Sequence, residues 1–501
     1  EYSNSPDYIH QQALTVMDPN HSSSPSISAP NIGPVKINLL SAMWKQVTTF
    51  ALLPVLLMTG CANKQKTSFK IDYEKYELEN GLTVILHEDK SDPIVGVAIQ
   101  YHVGSNREIP GRTGFAHLFE HMLFQESQHV GQDQFFKKIQ NLGGTLNGGT
   151  NKDGTIYYEV VPNNALETVL WMEADRMGWL LSTVTQSAFE NQQEVVQNEK
   201  RQRVDNRPYG HGNYVMIKNM YPEGHPYNWT TIGELEDLRN ATLKDVRDFY
   251  ETWYGPHNAT MVIAGDFDRA QVKPWVEKYF GEIKRGPDHG NPEAQLVTLS
   301  ETRRVYHEDN FARSPRLSMA FPTVDQRHKD AAALELLSQL LGDGKKAPLY
   351  KVIVEEKKLA PGISSSNRSQ EIAGTFNITV TGFPTTSLTE VESAIQEAFA
   401  RFENDGVKKE DLERLKAKYE TSFYNSISSV LYKGFQLAFF NEYFGSPDAL
   451  AIELQKVLDV TIGDVERVYG QYLKDQPYVL TSFVPKGKVN LVVEGSVLYP
   501  V

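Results

Sequence analysis

A single cysteine, Cys61, among 501 residues excludes an internal disulfide framework, so stability must come from core packing. Basic residues do not dominate. Fifty Lys and Arg against 63 Asp and Glu leave a net charge of −13, which argues against nucleic acid as a partner. No glycine-rich phosphate cradle is evident: Gly143-Gly144 and Gly148-Gly149 bracket Asn147, but no Walker lysine follows, and the flanks suit a tight turn between strands. The apolar run Val47–Met58 is too short for a membrane span, which needs about 20 residues. Histidine is scarce as well, 13 in all, yet two of them stand four apart in an otherwise apolar stretch.

That stretch is Gly114-Phe-Ala-His-Leu-Phe-Glu-His-Met-Leu-Phe124. On a helix, residues four apart share a face, so His117 and His121 can reach one ion. Glu120 sits beside them without having to bind, where it can take a proton from a metal-activated water. Phe115, Leu118, Phe119, Met122, Leu123 and Phe124 bury the helix, and buried ionisable side chains need partners. Two imidazoles suit Zn2+, and a catalytic zinc takes a third protein ligand and keeps one position open. The order H-x-x-E-H is the inverzincin arrangement.

The segment Ser187–Arg201 reads as a helix and offers Glu190, Glu194 and Glu199. Phe189, Val195 and Val196 define an apolar arc, and Glu199 falls within it. Glu190 and Glu194 project to nearly the opposite side and read as solvated charges. Phase therefore selects Glu199 as third ligand; the competing reading is a helix-end pair with Lys200 or Arg203.

His117–His121, Val195-Val-Gln-Asn-Glu199 and Asp205-Asn-Arg-Pro-Tyr-Gly210 resemble the M16 zinc metallopeptidases, the pitrilysin and mitochondrial-processing-peptidase group. So do Tyr76–Leu86 and Gly143–Tyr157. The resemblance spans about residues 70–490. It implies His117, His121 and Glu199 as zinc ligands and Glu120 as general base. The gap between the last two ligands is slightly longer than the family's usual one, which implies a one-residue loop insertion. Gln192 stands where the family often has a second glutamate, so that assisting role is in doubt here.

The chain also reads as two similar pieces. Strand-like Leu82–Leu86 and Val95–Val103 precede the His helix; the Thr155–Val161 strand and Ala259–Asp266 follow it. Arg285–Pro292 is a polar Gly/Pro-rich linker. Pro315–Phe321, Lys329–Leu341 and Gly374–Thr381 then repeat the plan, with Leu334–Leu341, free of histidine, in the place of the His helix. The resemblance implies an α+β fold of two homologous α/β-roll domains, each a mainly antiparallel sheet with helices on one side. We assign 62–285 to the catalytic half, 286–303 to the linker, 304–490 to an inactive half and 491–501 to a tail.

Residues 1–42 are polar and read as a disordered upstream extension, not necessarily translated. Met43-Trp-Lys-Gln, the apolar run and Met58-Thr-Gly-Cys61 read as a lipoprotein signal over 43–61, with Cys61 lipidated. Ala62, rather than Asp, follows the cysteine, which by family rule favours the outer membrane facing the periplasm.

By resemblance, Thr155–Val161 is an exposed edge strand that pairs with an extended peptide, with Asn147, Thr155 and Tyr157 as substrate-binding residues. The expected activity is hydrolysis of peptides or unfolded polypeptides in the bacterial envelope. The expected partner is a second M16-like chain, as homodimer or heterodimer; by resemblance, an Arg/Tyr pair that helps hold substrate can come from a partner lacking the His motif, and Arg368, Tyr424 and Tyr432 are available for it here without being assigned. The rival readings are a non-catalytic or partner-dependent M16-like subunit, and a peptide-binding lipoprotein with structural zinc. His102, His129, His211, His225 and His257 lack a neighbour at ligand spacing and read as surface or satisfied core residues.

Overall fold

Alternation with period two explains why the first sheet has two buried faces. Val84 and Leu86 enter one core and Ile85 the opposite one; Val97 and Ile99 likewise oppose Ala98. The computed structural model describes residues 69–501, and the 43–61 segment with Cys61 lies outside them. The strands are β1 (Glu74–Glu77), β2 (Thr83–Glu88), β3 (Ile94–Tyr101), β4 (Thr145–Thr150), β5 (Thr155–Pro162) and β6 (Ala259–Gly265) in the first half. The second half contributes β7 (Arg303–Asp309), β8 (Arg316–Thr323), β9 (Ile363–Ser369), β10 (Gly374–Thr381), β11 (Val479–Pro485) and β12 (Val497–Leu498).

The two sheets run β1-β2-β6-β3-β5-β4 and β12-β7-β11-β8-β10-β9. Superposing the orders matches β2, β6, β3, β5 and β4 with β7, β11, β8, β10 and β9. Both β2–β6 and β7–β11 are parallel, and the pairs that follow them toward β4 and β9 are antiparallel. The duplicated, mainly antiparallel plan is thus present in the hydrogen-bond ladders. The outermost strands break the symmetry: β1 runs antiparallel to β2, whereas β12 runs parallel to β7. Residues 497–498, expected in a tail, therefore belong to the second sheet.

Five helices carry the rest of the argument: α1 (Phe115–Gln125), α2 (Gln186–Lys200), α3 (Gly212–Met220), α4 (Ala331–Gly342) and α5 (Val430–Phe444). α1 packs on one face of the first sheet, and α4, next after β8 as α1 is next after β3, packs on the second. The expectation of helices on one side only is corrected here. α5, from the second half, covers the other face of the first sheet through Phe435, Leu437 and Ala438 against Ile85, Ala98, Ile156, Tyr158 and Val262. Reciprocally, α3 lays Ile217 and Met220 against Ala320 and Val479 of the second sheet. Each half therefore closes the other's core, and Lys70–Val501 form one compact unit. The all-buried β6 follows from this double cover, because a strand with both faces packed reads as a continuous apolar run. No helix among the described residues is long and apolar enough to cross a membrane.

Candidate metal centre

α1 begins where the backbone demands glycine. Gly114 sits at φ 89°, and a Cβ there would lie 2.8 Å from the Ile232 carbonyl oxygen. The helix N–H groups left open at this end are met by a buried carboxylate: Glu108 accepts from Gly114 N–H at 2.8 Å and Ala116 N–H at 2.9 Å. Burial pushes Glu108 up, to about 8, against the pull of those donors. Phe119 packs on Phe249, Tyr250 and Tyr254, which fixes the rotation of α1. The opposite stripe, His117, Glu120 and His121, is thereby turned toward a cleft.

α2 starts at Thr185, whose hydroxyl accepts from Ala188 N–H, and it delivers Glu199 near its end. Glu190 and Glu194 are exposed, as the phase argument expects; Val195 is also exposed, at 40%, so the apolar arc is narrower than the sequence suggests and rests on Phe189, Gln192, Gln193 and Val196. Past Lys200 the chain widens into a π-helical turn over Arg201–Asp205.

The imidazole Nε2 atoms of His121 and His117 lie 3.0 and 3.5 Å from Glu199 Oε2. One ligand atom from each of the three residues falls within 4.8 Å of the others. Tetrahedral zinc with bonds near 2.0–2.1 Å separates its ligand atoms by about 3.3 Å, so the two spacings bracket what the ion requires. The donor set fits zinc. Glu199 Oε1 meanwhile pairs with Arg203 at 2.5 Å, so the helix-end pairing is present and leaves Oε2 directed at the two imidazoles. Burial raises the Glu199 carboxyl, but the His121 bond and the neighbouring His117, His121 and Arg203 charges outweigh it and hold the group down at about 2. Burial pushes the His117 imidazole below its usual range, toward the neutral form a metal needs. Glu120 is buried, and its Oε2 has no hydrogen-bond partner. Among the described residues, no other group of three or more His, Cys, Asp or Glu has metal-holding geometry.

The cleft has a volume of about 1330 Å³ and is lined by His117, Glu120 and Glu199, by the loop Asp205–His211, and by Arg316 from β8. It exceeds the ~300–1,000 Å³ of small-molecule pockets and suits an extended chain.

The predicted substrate residues fare differently. β5 is not an edge: β3 and β4 flank it, and β4 is the edge strand. Thr155 and Tyr157 are fully buried, with hydroxyls donating to the Val103 and Phe119 carbonyls at 2.7 and 3.2 Å, and neither lines the cleft. The edge-strand reading of Thr155–Val161 is corrected; inward-facing positions of an interior strand pack in the core. Asn147 lies on the edge strand itself, half-buried, its Oδ1 accepting from Gly148 N–H. Arg368, Tyr424 and Tyr432 do not line the cleft; Arg316, Tyr209 and His211 do. Sequence reasoning passed over Glu108 and Arg316 because neither stands at a recognisable spacing from the histidines. Of the remaining histidines, His102 is bonded to Glu371 and Glu442, His129 to Asp175 and His225 to the Gln295 carbonyl.

The fold is a duplicated sheet-and-helix plan of two halves, and among the described residues the His/His/Glu cluster stands in the first half alone. Residues 83–221 match the family profile described as insulinase (peptidase family M16), and residues 240–419 the one described as the peptidase M16 inactive domain. The chain belongs to the M16 peptidase family. The second profile begins within the first half, taking in β6, and extends across α4, which lacks histidine. The chain is 28% identical over 430 residues to the zinc protease PqqE of Helicobacter pylori, covering 85% of this chain and 95% of that one. It is 24% identical to the uncharacterised zinc protease YmxG of Bacillus subtilis, covering 83% and 99%. The crystal structure of a protease from Helicobacter pylori matches with a TM-score of 0.76 at 26% identity, over 83% of this chain and all of that one.

Proposed function

We propose that this chain is a zinc-dependent endopeptidase acting on peptides or unfolded polypeptides. The observation that carries the reading is the convergence of His117 Nε2, His121 Nε2 and Glu199 Oε2 on one point beside Glu120, inside a cleft wide enough for an extended chain. Zinc held by these three side chains would supply Lewis acidity toward water and a peptide carbonyl.

The chain's own groups do the remainder. Glu120, buried on the cleft wall with Oε2 unpaired, takes a proton from water and passes it to the departing amine nitrogen. Arg203 holds Glu199 ionised and in place through the other carboxylate oxygen. The outer edge of β4 offers unpaired backbone groups to an extended peptide, with Asn147 alongside, so affinity comes from main-chain pairing with little demand on sequence. Folded proteins cannot present such a strand, which favours unfolded or short substrates.

We place the mature protein in a bacterial envelope, lipid-anchored through Cys61, on the strength of the Met43–Cys61 segment. A second chain of the same family, identical or not, is the expected partner. The test is hydrolysis of a quenched peptide library by zinc-loaded residues 62–501, beside Glu120→Gln. Cleavage lost by roughly 100-fold or more in the variant, with zinc retained, supports the assignment. Cleavage undiminished in Glu120→Gln refutes it, and zinc-bound protein silent in both forms shifts the reading to a partner-dependent subunit.

A further inference from the structure

Arg316 stands at the start of β8, opposite Thr381 of β10, and reaches the cleft from the half that holds no metal-binding residues. Its Nε donates to Thr381 Oγ1 at 2.9 Å, and its guanidinium lies over the Tyr209 ring at 3.6 Å from the centroid. Tyr209 is itself fixed. It holds the left-handed backbone at φ 60°, rarely adopted by an aromatic residue, while Asp309 accepts from its N–H at 2.6 Å and its hydroxyl donates to the Ser314 carbonyl at 2.8 Å. The planar fork is thus held at one edge and one face before any ligand arrives.

What it lacks is an anion. Among the described residues Arg316 has no carboxylate within ion-pair distance. Asp309, whose charge it feels, has Oδ1 occupied by the Phe311 and Ala312 N–H groups and Oδ2 by Tyr209 N–H. A second guanidinium, Arg207, stands on the same cleft wall, exposed and likewise without an ion pair, and its charge together with burial lowers the basicity of Arg316. The cleft wall carries acids as well, but none is within ion-pair distance of Arg316: Glu199 is taken by Arg203 and the histidines, Glu234 lies near Lys200 and Lys218, Asp205 lies near His211, Asp237 accepts from Thr113, and Glu120 and Glu236 stand apart from it. Two unpaired guanidiniums facing a peptide-sized cleft match a planar, two-oxygen anion.

We propose that Arg316, seated on Tyr209 and assisted by Arg207, is a carboxylate-binding subsite that selects peptides carrying an acidic side chain or a free C-terminal carboxylate. The subsite is shared between the halves: Arg316 comes from the half without the His/His/Glu cluster, whereas Tyr209 and Arg207 come from the half that carries it. This rests on the peptidase reading.

The test separates the two. Fluorescent decapeptides are titrated by anisotropy into the zinc-loaded Glu120→Gln protein, in four forms: with a central Glu or Gln, each with a free or amidated C-terminus. Either Glu→Gln or amidation should weaken binding about tenfold, as loss of a charge-assisted pair does; which one does so names the source of the carboxylate. Adding Arg316→Gln should bring the preference to about one, and Arg316→Lys, which keeps charge but loses the fork, should leave part of it. Equal binding of all four peptides, or a preference that survives Arg316→Gln, overturns the proposal. Discrimination in binding with no hydrolysis by the unsubstituted protein would sink the peptidase reading and leave the subsite standing; hydrolysis without discrimination would do the reverse.

Discussion

His102→Gln should loosen the join between the two halves, and in a way that depends on pH. His102 follows β3 in the first half. Its Nε2 lies 2.6 Å from Glu371 Oε1 and its Nδ1 3.1 Å from Glu442 Oε1, both carboxylates belonging to the second half. The imidazole is almost fully buried. Burial disfavours its charge, yet the bonds to Glu371 and Glu442 outweigh it and raise the group to about 9. A folded value above the ordinary 6.5 means that the folded chain holds the proton more tightly than the unfolded one. The resulting stability is complete below pH 6.5, declines above it and is gone once pH has passed about 9. The rise corresponds to about 3 kcal/mol at ~1.4 kcal/mol per tenfold change in proton affinity. The assay is urea unfolding of the parent and of His102→Gln across pH 6 to 10. The stability difference should be largest at pH 6 and shrink by about 3 kcal/mol toward pH 10. A difference that stays constant across this window would show that folding does not raise the affinity of His102 for its proton, and the latch argument would fail.

Other expectations are more local. Glu199→Ala should weaken zinc retention in chelator competition by more than the roughly 10–100-fold that outer-shell partners cost; unchanged zinc content would return attention to Glu194. Tyr157→Phe removes only the bond to the Phe119 carbonyl, so it should cost about 1 kcal/mol of stability and leave KM alone, whereas a raised KM would restore Tyr157 to the substrate site. Cys61→Ser should abolish incorporation of labelled lipid in a bacterial host, and incorporation that persists would remove the anchor from the picture.

Much of the candidate centre was legible because it is local. His117, Glu120 and His121 are tied by one helical repeat, and a stretch of apolar neighbours reveals which way the helix faces. Glu199 came from the same periodicity, although Val195 shows how coarse a short window is: one exposed valine counted as buried shifts the arc. The doubled plan was legible for a similar reason, since strand, helix and strand recur in the same order with Leu334–Leu341 in place of the histidines.

Sheet order is another matter. The run Thr155–Val161 looks the same whether it ends a sheet or lies within one, and only the pairing with both β3 and β4 makes it interior. The same holds for α3 and α5, whose apolar faces announce burial without saying which half's sheet will receive them. Arg316, Tyr209 and Asp309 are far apart in the chain from Glu120, as are His102, Glu371 and Glu442 from one another. The sequence by itself determined that His117, Glu120 and His121 share one helix face, that Glu199 is the carboxylate to join them, and that a similar second half lacks the histidines, because 3.6- and 2-residue periods are properties of neighbouring residues. The tertiary structure alone decided which strand edge is open, which cations face the cleft unpaired and how the halves are latched, because those depend on contacts between segments that no local period connects.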